Sequence, residues 1–174
     1  VNRPDRIIRT GGRSALQADP IIRTALLAQL AAPAGTLWLV SGWISDVVLV
    51  DNSDGAYDYL LGDSAPTQCR LADLLLMIAE AGCTVHVVTR PDQANQNFLD
   101  RLGARAEDTP SLHITPDPKV HEKTLCGPDW IITGSMNFTR NGLTNNKEQI
   151  RYGTDMAQVA QAHKDFEDEW GDNR

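Results

Sequence analysis

Apolar and polar positions along this chain follow two periods, and the switches between them mark out the elements. From Asp19-Pro20 the residues Ile21, Ile22, Leu26, Leu27 and Leu30 recur at helical spacing, with Asp19 the expected N-cap and Pro20 in the first turn. Thr36 to Trp43 is apolar almost throughout, as in a strand covered on both faces, and Val47 to Val50 reads as a prolongation of it. Leu71, Leu74, Leu75, Ile78 and Ala79 predict an amphipathic helix closed by Gly82. Thr84 to Thr89 is a β-branched strand, a helix over 92–103 buries Phe98, Leu99 and Leu102, and a short strand surrounds His113. Period-two alternation returns in Val120 to Cys126 and in Asp129 to Thr133, a predicted hairpin. A strand around Glu148 to Tyr152 precedes a closing helix over 155–170, anchored by Val159, Phe166 and Trp170. Strand-helix alternation ending in a hairpin predicts an α/β sandwich, a mixed sheet flanked by helices on both faces.

Residues 1–19 are polar, with Arg3, Arg6, Arg9, Arg13 and Gly11-Gly12, and read as an N-terminal arm. The rest, 20–174, is long enough for one domain and short for two. Within it the polar insert 51–66, carrying Tyr57 and Tyr59, is the expected substrate-shaping loop.

Composition narrows the function classes. No apolar run approaches the about eighteen residues that a membrane span needs, and the first twenty residues lack a charged-then-apolar signal pattern. A soluble, cytoplasmic protein without membrane partners is expected. Cys69, Cys83 and Cys126 are widely spaced, with no C-x-x-C pair, and no histidine cluster has metal-ligand spacing. Reduced thiols, no metal and no cofactor are expected. His86, His113 and His163 read as packed or surface histidines. The formal net charge of −7 argues against a large unspecific nucleic-acid surface. Lys119, Lys123, Arg140, Lys147 and Arg151 nevertheless gather around one segment, which allows a local basic cleft.

That segment carries the chemistry. His121 and Lys123, two residues apart in an alternating run, point to one face of a strand and set a nucleophile beside a fixed positive charge. The next strand runs into Gly134-Ser135-Met136-Asn137, a small-residue turn able to bring a hydroxyl and an amide to a bound anion. The constellation reads as a phosphate site.

Its spacing resembles the HKD motif of the phospholipase D superfamily, H-x-K-x4-D followed by G-S-x-x-N, in the single-motif branch of small bacterial endonucleases. His121, Lys123, Gly134, Ser135 and Asn137 match it position by position. Pro128 stands where the aspartate should fall, with Asp129 the nearby acid, and the interval between the two half-motifs is one residue short. The resemblance implies that Glu148 hydrogen-bonds the catalytic histidine, and that the strand end Ser41-Gly42-Trp43 faces the centre, with Ser41 and Trp43 helping to line it. It also implies the reaction: a metal-independent phosphodiesterase working through a phosphohistidine. With one motif per chain, the second histidine must come from another subunit, so a two-fold homodimer is expected. Lys123 and Asn137, with Ser135, would hold the non-bridging oxygens. A nuclease is the favoured member of this class, and a fainter likeness to stand-alone proteins of bacterial DNA-modification and antiviral defence clusters would add DNA binding and partner proteins. The alternatives are a hydrolase of lipid or small phosphodiesters and a non-catalytic nucleic-acid-binding module on the same scaffold.

Overall fold

The computed structural model describes residues 5–11, 17–62 and 66–171; Arg3, Gly12 and Arg13 lie outside them. The elements run β1 (Arg6–Arg9), α1 (Asp19–Ala31), β2 (Thr36–Ser41), β3 (Val48–Asp51), α2 (Asp58–Leu61), β4 (Gln68–Arg70), α3 (Leu71–Glu80), β5 (Thr84–Thr89), α4 (Gln96–Ala106), β6 (Leu112–Pro116), β7 (Lys123–Cys126), β8 (Ile131–Gly134), α5 (Arg140–Thr144), β9 (Gln149–Gly153) and α6 (Met156–Trp170). Seven strands form one mixed sheet in the order β1-β9-β8-β7-β2-β5-β6. β2, β5 and β6 are parallel neighbours, and every other pairing in this sheet is antiparallel.

Side chains on the central strands alternate between two cores. Leu37, Leu39, Val85, Val87, Leu125 and Ile132 pack towards α1, α3 and α4. Trp38, Val40, Val88, Cys126 and Ile131 pack on the other face, against Val159 and Phe166 of α6. Both sheet faces are therefore covered, as the unbroken apolar run of β2 requires. Neighbouring positions across three strands place Trp38, His86 and His113 in one stack, with ring centroids 4.0 and 4.6 Å apart. His86 is a packed histidine, and His163 reaches the Gly127 carbonyl at 2.9 Å.

Several local expectations shift. Residues 6–9, expected in an irregular arm, form an edge strand, because β9 offers a free edge along which Arg6 to Arg9 pair in register with Tyr152 to Gln149. Asp19 is not the N-cap: α1 starts on it, with Ala18 at the cap position and the Ala18 N–H bonded to the Leu143 carbonyl. Val47 to Val50 does not prolong β2. The chain leaves the large sheet where Ile44 bridges Phe138, and β3 pairs instead with β4 in a separate two-stranded sheet. In the described part of the insert, up to Gly62, the Asn52 amide donates to Asp58 and accepts from the Tyr57 N–H, both at 2.8 Å.

Candidate active site at the strand ends

The C-terminal ends of β2, β5 and β8 and the N-terminal ends of β7 and β9 meet at one end of the sheet. The ladder dictates this: Ser41 lies opposite Lys123, Thr124 opposite Thr133, and Gly134 opposite Ile150. Gly134 is required by close approach, since a Cβ there would lie 2.3 Å from the Gln149 carbonyl oxygen. Pro128 and Asp129 fall in the turn joining β7 to β8, closed by the Gly127 N–H to the Trp130 carbonyl at 2.9 Å. The departure from the motif thus sits at the far end of the hairpin from Lys123.

His121 is exposed and lies two residues ahead of β7, not inside a strand running from Val120. The chain is held there differently: Asp117 caps a turn by accepting the Lys119 N–H at 2.7 Å, and Arg90 Nε donates to the Val120 carbonyl at 2.7 Å. Lys123 stays on the same side as His121. Its Nζ donates to the His121 carbonyl at 2.8 Å and lies 3.5 Å from His121 Nδ1. Between them Glu122 turns the other way and accepts from Thr124 Oγ1 at 3.3 Å.

Trp43 meets the His121 ring edge-on, with centroids 6.2 Å apart, and the Arg90 guanidinium lies 4.4 Å above the Trp43 ring. Ser41 is buried, and its hydroxyl donates to the Trp43 carbonyl at 3.1 Å. It shapes the strand end and offers no solvent-facing hydroxyl to a ligand.

Across the hairpin, Ser135 Oγ donates to Glu148 Oε2, accepts the Gln149 N–H at 3.1 Å, and so ties the turn after β8 to the start of β9. The second oxygen of Glu148 accepts from Asn146 Nδ2 at 3.2 Å. The hydrogen bond that the resemblance implies between Glu148 and the His121 ring is not formed here; Glu148 is bonded instead to Ser135 and Asn146. Asn137 Oδ1 is buried with no hydrogen-bond partner among the described residues. An orphaned buried amide oxygen is costly.

A cleft of about 730 Å³ is lined in part by Ser45, Asp46, Arg70, Asn97, Asp100, Arg101 and Arg140, and none of the motif residues line it. Asp46 anchors two of its arginines: its carboxylate pairs with Arg101 Nε at 2.8 Å, and its carbonyl accepts from Arg70 Nη1 at 2.7 Å. Arg151, grouped with the basic residues in sequence, is paired with Asp5. Among the described residues no cluster of three or more histidine, cysteine or acidic side chains could hold a metal ion, and no helix is long and apolar enough to cross a membrane.

Two residues here gave no motif signal. Arg90 is the first residue after β5, a parallel strand, and only the general tendency of sites to lie at the carboxyl ends of such strands points to it. Asn95 is fully buried and joins the loops. Its Oδ1 accepts the Ile44 N–H at 2.8 Å, and its Nδ2 lies 2.9–3.0 Å from the Gly42 and Arg90 carbonyls and Thr89 Oγ1.

The chain is similar in fold to NucT from Helicobacter pylori (TM-score 0.62, 11% identity, covering 95% of this chain and 94% of that one). It is similar also to a phospholipase D family member, Nuc from Salmonella typhimurium (TM-score 0.62, 13% identity, 98% and 97% covered). The polyphosphate kinase from Porphyromonas gingivalis shares the fold over 26% of its own length, with 98% of this chain covered (TM-score 0.65, 16% identity). No curated protein sequence matches the chain. The family described as "Cardiolipin synthase, PLD-like domain" matches residues 56–170, well over half of the chain and all of the His121 to Glu148 site. The chain therefore belongs to the phospholipase D-like family.

Proposed function

We propose that this protein is a metal-independent phosphodiesterase whose substrate is nucleic acid, acting at a site shared by two subunits. The observation that carries the proposal is the placement of the Lys123 ammonium against the exposed His121 imidazole at a strand end, in a chain of a phosphodiesterase family. Nucleic acid is favoured over lipid by the exposed Lys119 and Arg140, close in sequence to His121 and Asn137. The resemblance of the single motif to small bacterial endonucleases points the same way, and the fold match to Nuc and NucT over nearly the whole of each chain agrees with it. The family description includes cardiolipin synthase, so a phospholipid is the second substrate to test.

In the proposed cycle His121 Nε2 of one subunit attacks phosphorus, a P–N bond forms, and the P–O bond to the leaving strand breaks. The partner subunit's His121 protonates the departing oxygen. It then takes a proton from water, whose oxygen displaces the histidine from phosphorus and regenerates the enzyme. Lys123 and the amide nitrogen of Asn137 hold the non-bridging oxygens as charge grows on them, and removing one such donor costs about 2.7–4 kcal/mol of barrier stabilisation. When Lys123 moves from His121 to a phosphate oxygen, Nδ1 becomes available to Glu148, which fixes the tautomer with the lone pair on Nε2. The same reading extends to the two-fold homodimer and to a role in bacterial DNA modification or defence with partner proteins.

The test is incubation of the purified protein with labelled single-stranded DNA, double-stranded DNA and phosphatidylcholine vesicles in excess chelator, beside His121→Ala. Cleavage of DNA that vanishes in the variant supports the proposal. Cleavage of lipid alone replaces the substrate, and cleavage of neither favours a binding module. Light scattering supplies the second arm: a species that stays monomeric at micromolar concentration lacks the second histidine and rules out the shared site.

A further inference from the structure

We propose that Arg90 is a positioning residue that sets the pose of the His121 imidazole through two separate contacts. The proposal rests on His121 being the nucleophile of the reaction above. His121 lies outside the ladder, since β7 begins only at Lys123, so its backbone is not fixed by strand pairing. Something else must hold it, because a nucleophile displaced by about 1 Å can lose on the order of a hundredfold in rate.

Arg90 supplies both restraints. The Val120 carbonyl belongs to the same planar peptide unit as the His121 nitrogen, and Arg90 Nε donates to that oxygen at 2.7 Å. One hydrogen bond therefore fixes the peptide plane from which His121 departs. The guanidinium of the same residue lies over the Trp43 ring at 4.4 Å, and Trp43 meets the His121 ring edge-on at 6.2 Å. The imidazole is thus bounded from the backbone side and from the ring side by one cation.

Arg90 is itself fixed. Its carbonyl accepts from Asn95 Nδ2 at 2.9 Å and from the Asp92 N–H at 2.8 Å. Gly42 makes the approach possible, since a Cβ there would stand 3.0 Å from the Val120 oxygen and 3.2 Å from Arg90 Nε. Lysine could not reproduce the arrangement: its ammonium either donates to Val120 or sits over Trp43, whereas the planar guanidinium does both.

The experiment compares Arg90→Ala and Arg90→Lys with the wild type in kcat and KM for DNA cleavage, and in the His121 ring-proton shifts of the substrate-free protein. The alanine variant should lose about ten- to a hundredfold in kcat with KM changed less than about twofold. The lysine variant should recover part of that loss. The His121 ring shifts should move in both, because the Trp43 ring is released. Unchanged His121 shifts with unchanged kcat would overturn the proposal, and so would a KM rise at constant kcat, which would make Arg90 a direct substrate contact. If the alanine variant does not fold, the lysine variant carries the same comparison. If the wild type cleaves no phosphodiester, the functional reading fails alone and the ring shifts still decide the role of Arg90.

Discussion

Ser135 donates its hydroxyl hydrogen to the Glu148 carboxylate across the β8–β9 pair, while its oxygen accepts the N–H of Gln149. The serine of the motif is therefore engaged with the acid. If Ser135 contributes by holding Glu148, the two side chains act as one unit. Glu148→Gln should then cost about ten- to a hundredfold in kcat/KM, the scale of one hydrogen bond to a charged group. Ser135→Ala should cost less, and the double variant should be no worse than Glu148→Gln alone. A double-mutant cycle on phosphodiester cleavage measures this. Losses that multiply would mean that Ser135 meets the substrate independently of Glu148.

Gly42→Ala probes the crowding where the loops after β2 and before β7 touch. The added methyl would press on the Val120 oxygen and on Arg90 Nε, and overpacking of this kind costs about 1–3 kcal/mol. Gly103, in the middle of α4, has open space within 4 Å of the point where a methyl would stand. Gly103→Ala should stabilise the protein by about 0.5–1 kcal/mol through helix propensity. Denaturant melts of the two variants test the contrast, and equal effects would show that the Gly42 contact yields freely.

Much of this was legible in the sequence because it depends on spacing. Period-two and period-3.6 runs located the seven-stranded sheet's central strands and α1, α3, α4 and α6, and the ordered pair of half-motifs pointed to the family. What escaped depends on long-range pairing. β1 is a strand only because β9 offers it an edge, and β3 leaves the large sheet only because Ile44 bridges Phe138. The site shows the same division. His121, Lys123, Gly134, Ser135, Asn137 and Glu148 lie within or next to the ends of β7, β8 and β9, and local spacing finds them. Trp43 was reached through the resemblance, and its contact with His121 joins the loops at the ends of the paired strands β2 and β7, far apart in sequence. Arg90 and Asn95 act through carbonyls of distant loops, and no periodicity encodes which carbonyl a side chain will meet.

The thiols give a direct test of how closed the core is. Cys69, Cys83 and Cys126 are all buried and unpaired in disulfides. Burial pushes each thiol above its ordinary value, Cys126 up to about 12. The thiolate is the reactive species, so an alkylating reagent at about pH 8 should leave all three untouched in the native protein and modify all three in denaturant. Mass spectrometry counts the adducts. Rapid native labelling of Cys126 would show that β7, the strand leading from the motif, opens on its own.

Asp46 should make stability fall as the solution is made less acidic. Burial raises its carboxyl above the ordinary value, and Asp73 adds to this, while the Ala72 N–H, Arg101 and Arg70 oppose it. A carboxyl raised in the folded state binds its proton more tightly there than in the unfolded chain. The stabilisation by the protonated form is therefore present below the ordinary carboxylate range and is lost as pH rises through the raised value. Asn at this position keeps an acceptor for the Ala72 N–H at 3.1 Å but cannot ionise. The Tm of Asp46→Asn relative to wild type should thus climb from about pH 3.5 to about pH 7. A difference that falls over this range would mean that the Arg101 pair outweighs the burial.

Asn95 offers the most demanding test of how the site is assembled. Its buried amide is shared by the Ile44 N–H, the Gly42 and Arg90 carbonyls and Thr89 Oγ1. It therefore joins the loop that carries Trp43 to the loop that carries Arg90. Asn95→Ala leaves several of these groups buried without a partner, and a cost of about 2–4 kcal/mol is expected. Asn95→Asp keeps the acceptor for Ile44 but turns a carboxylate oxygen towards two carbonyls. Its penalty should be larger near about pH 7 than near about pH 4, where a protonated carboxyl can still donate. Chemical denaturation at both pH values measures the difference. If both variants melt like the wild type, the loops are held by their apolar neighbours and the amide is dispensable; if only the alanine variant is weakened at both, the acceptor to Ile44 carries the junction.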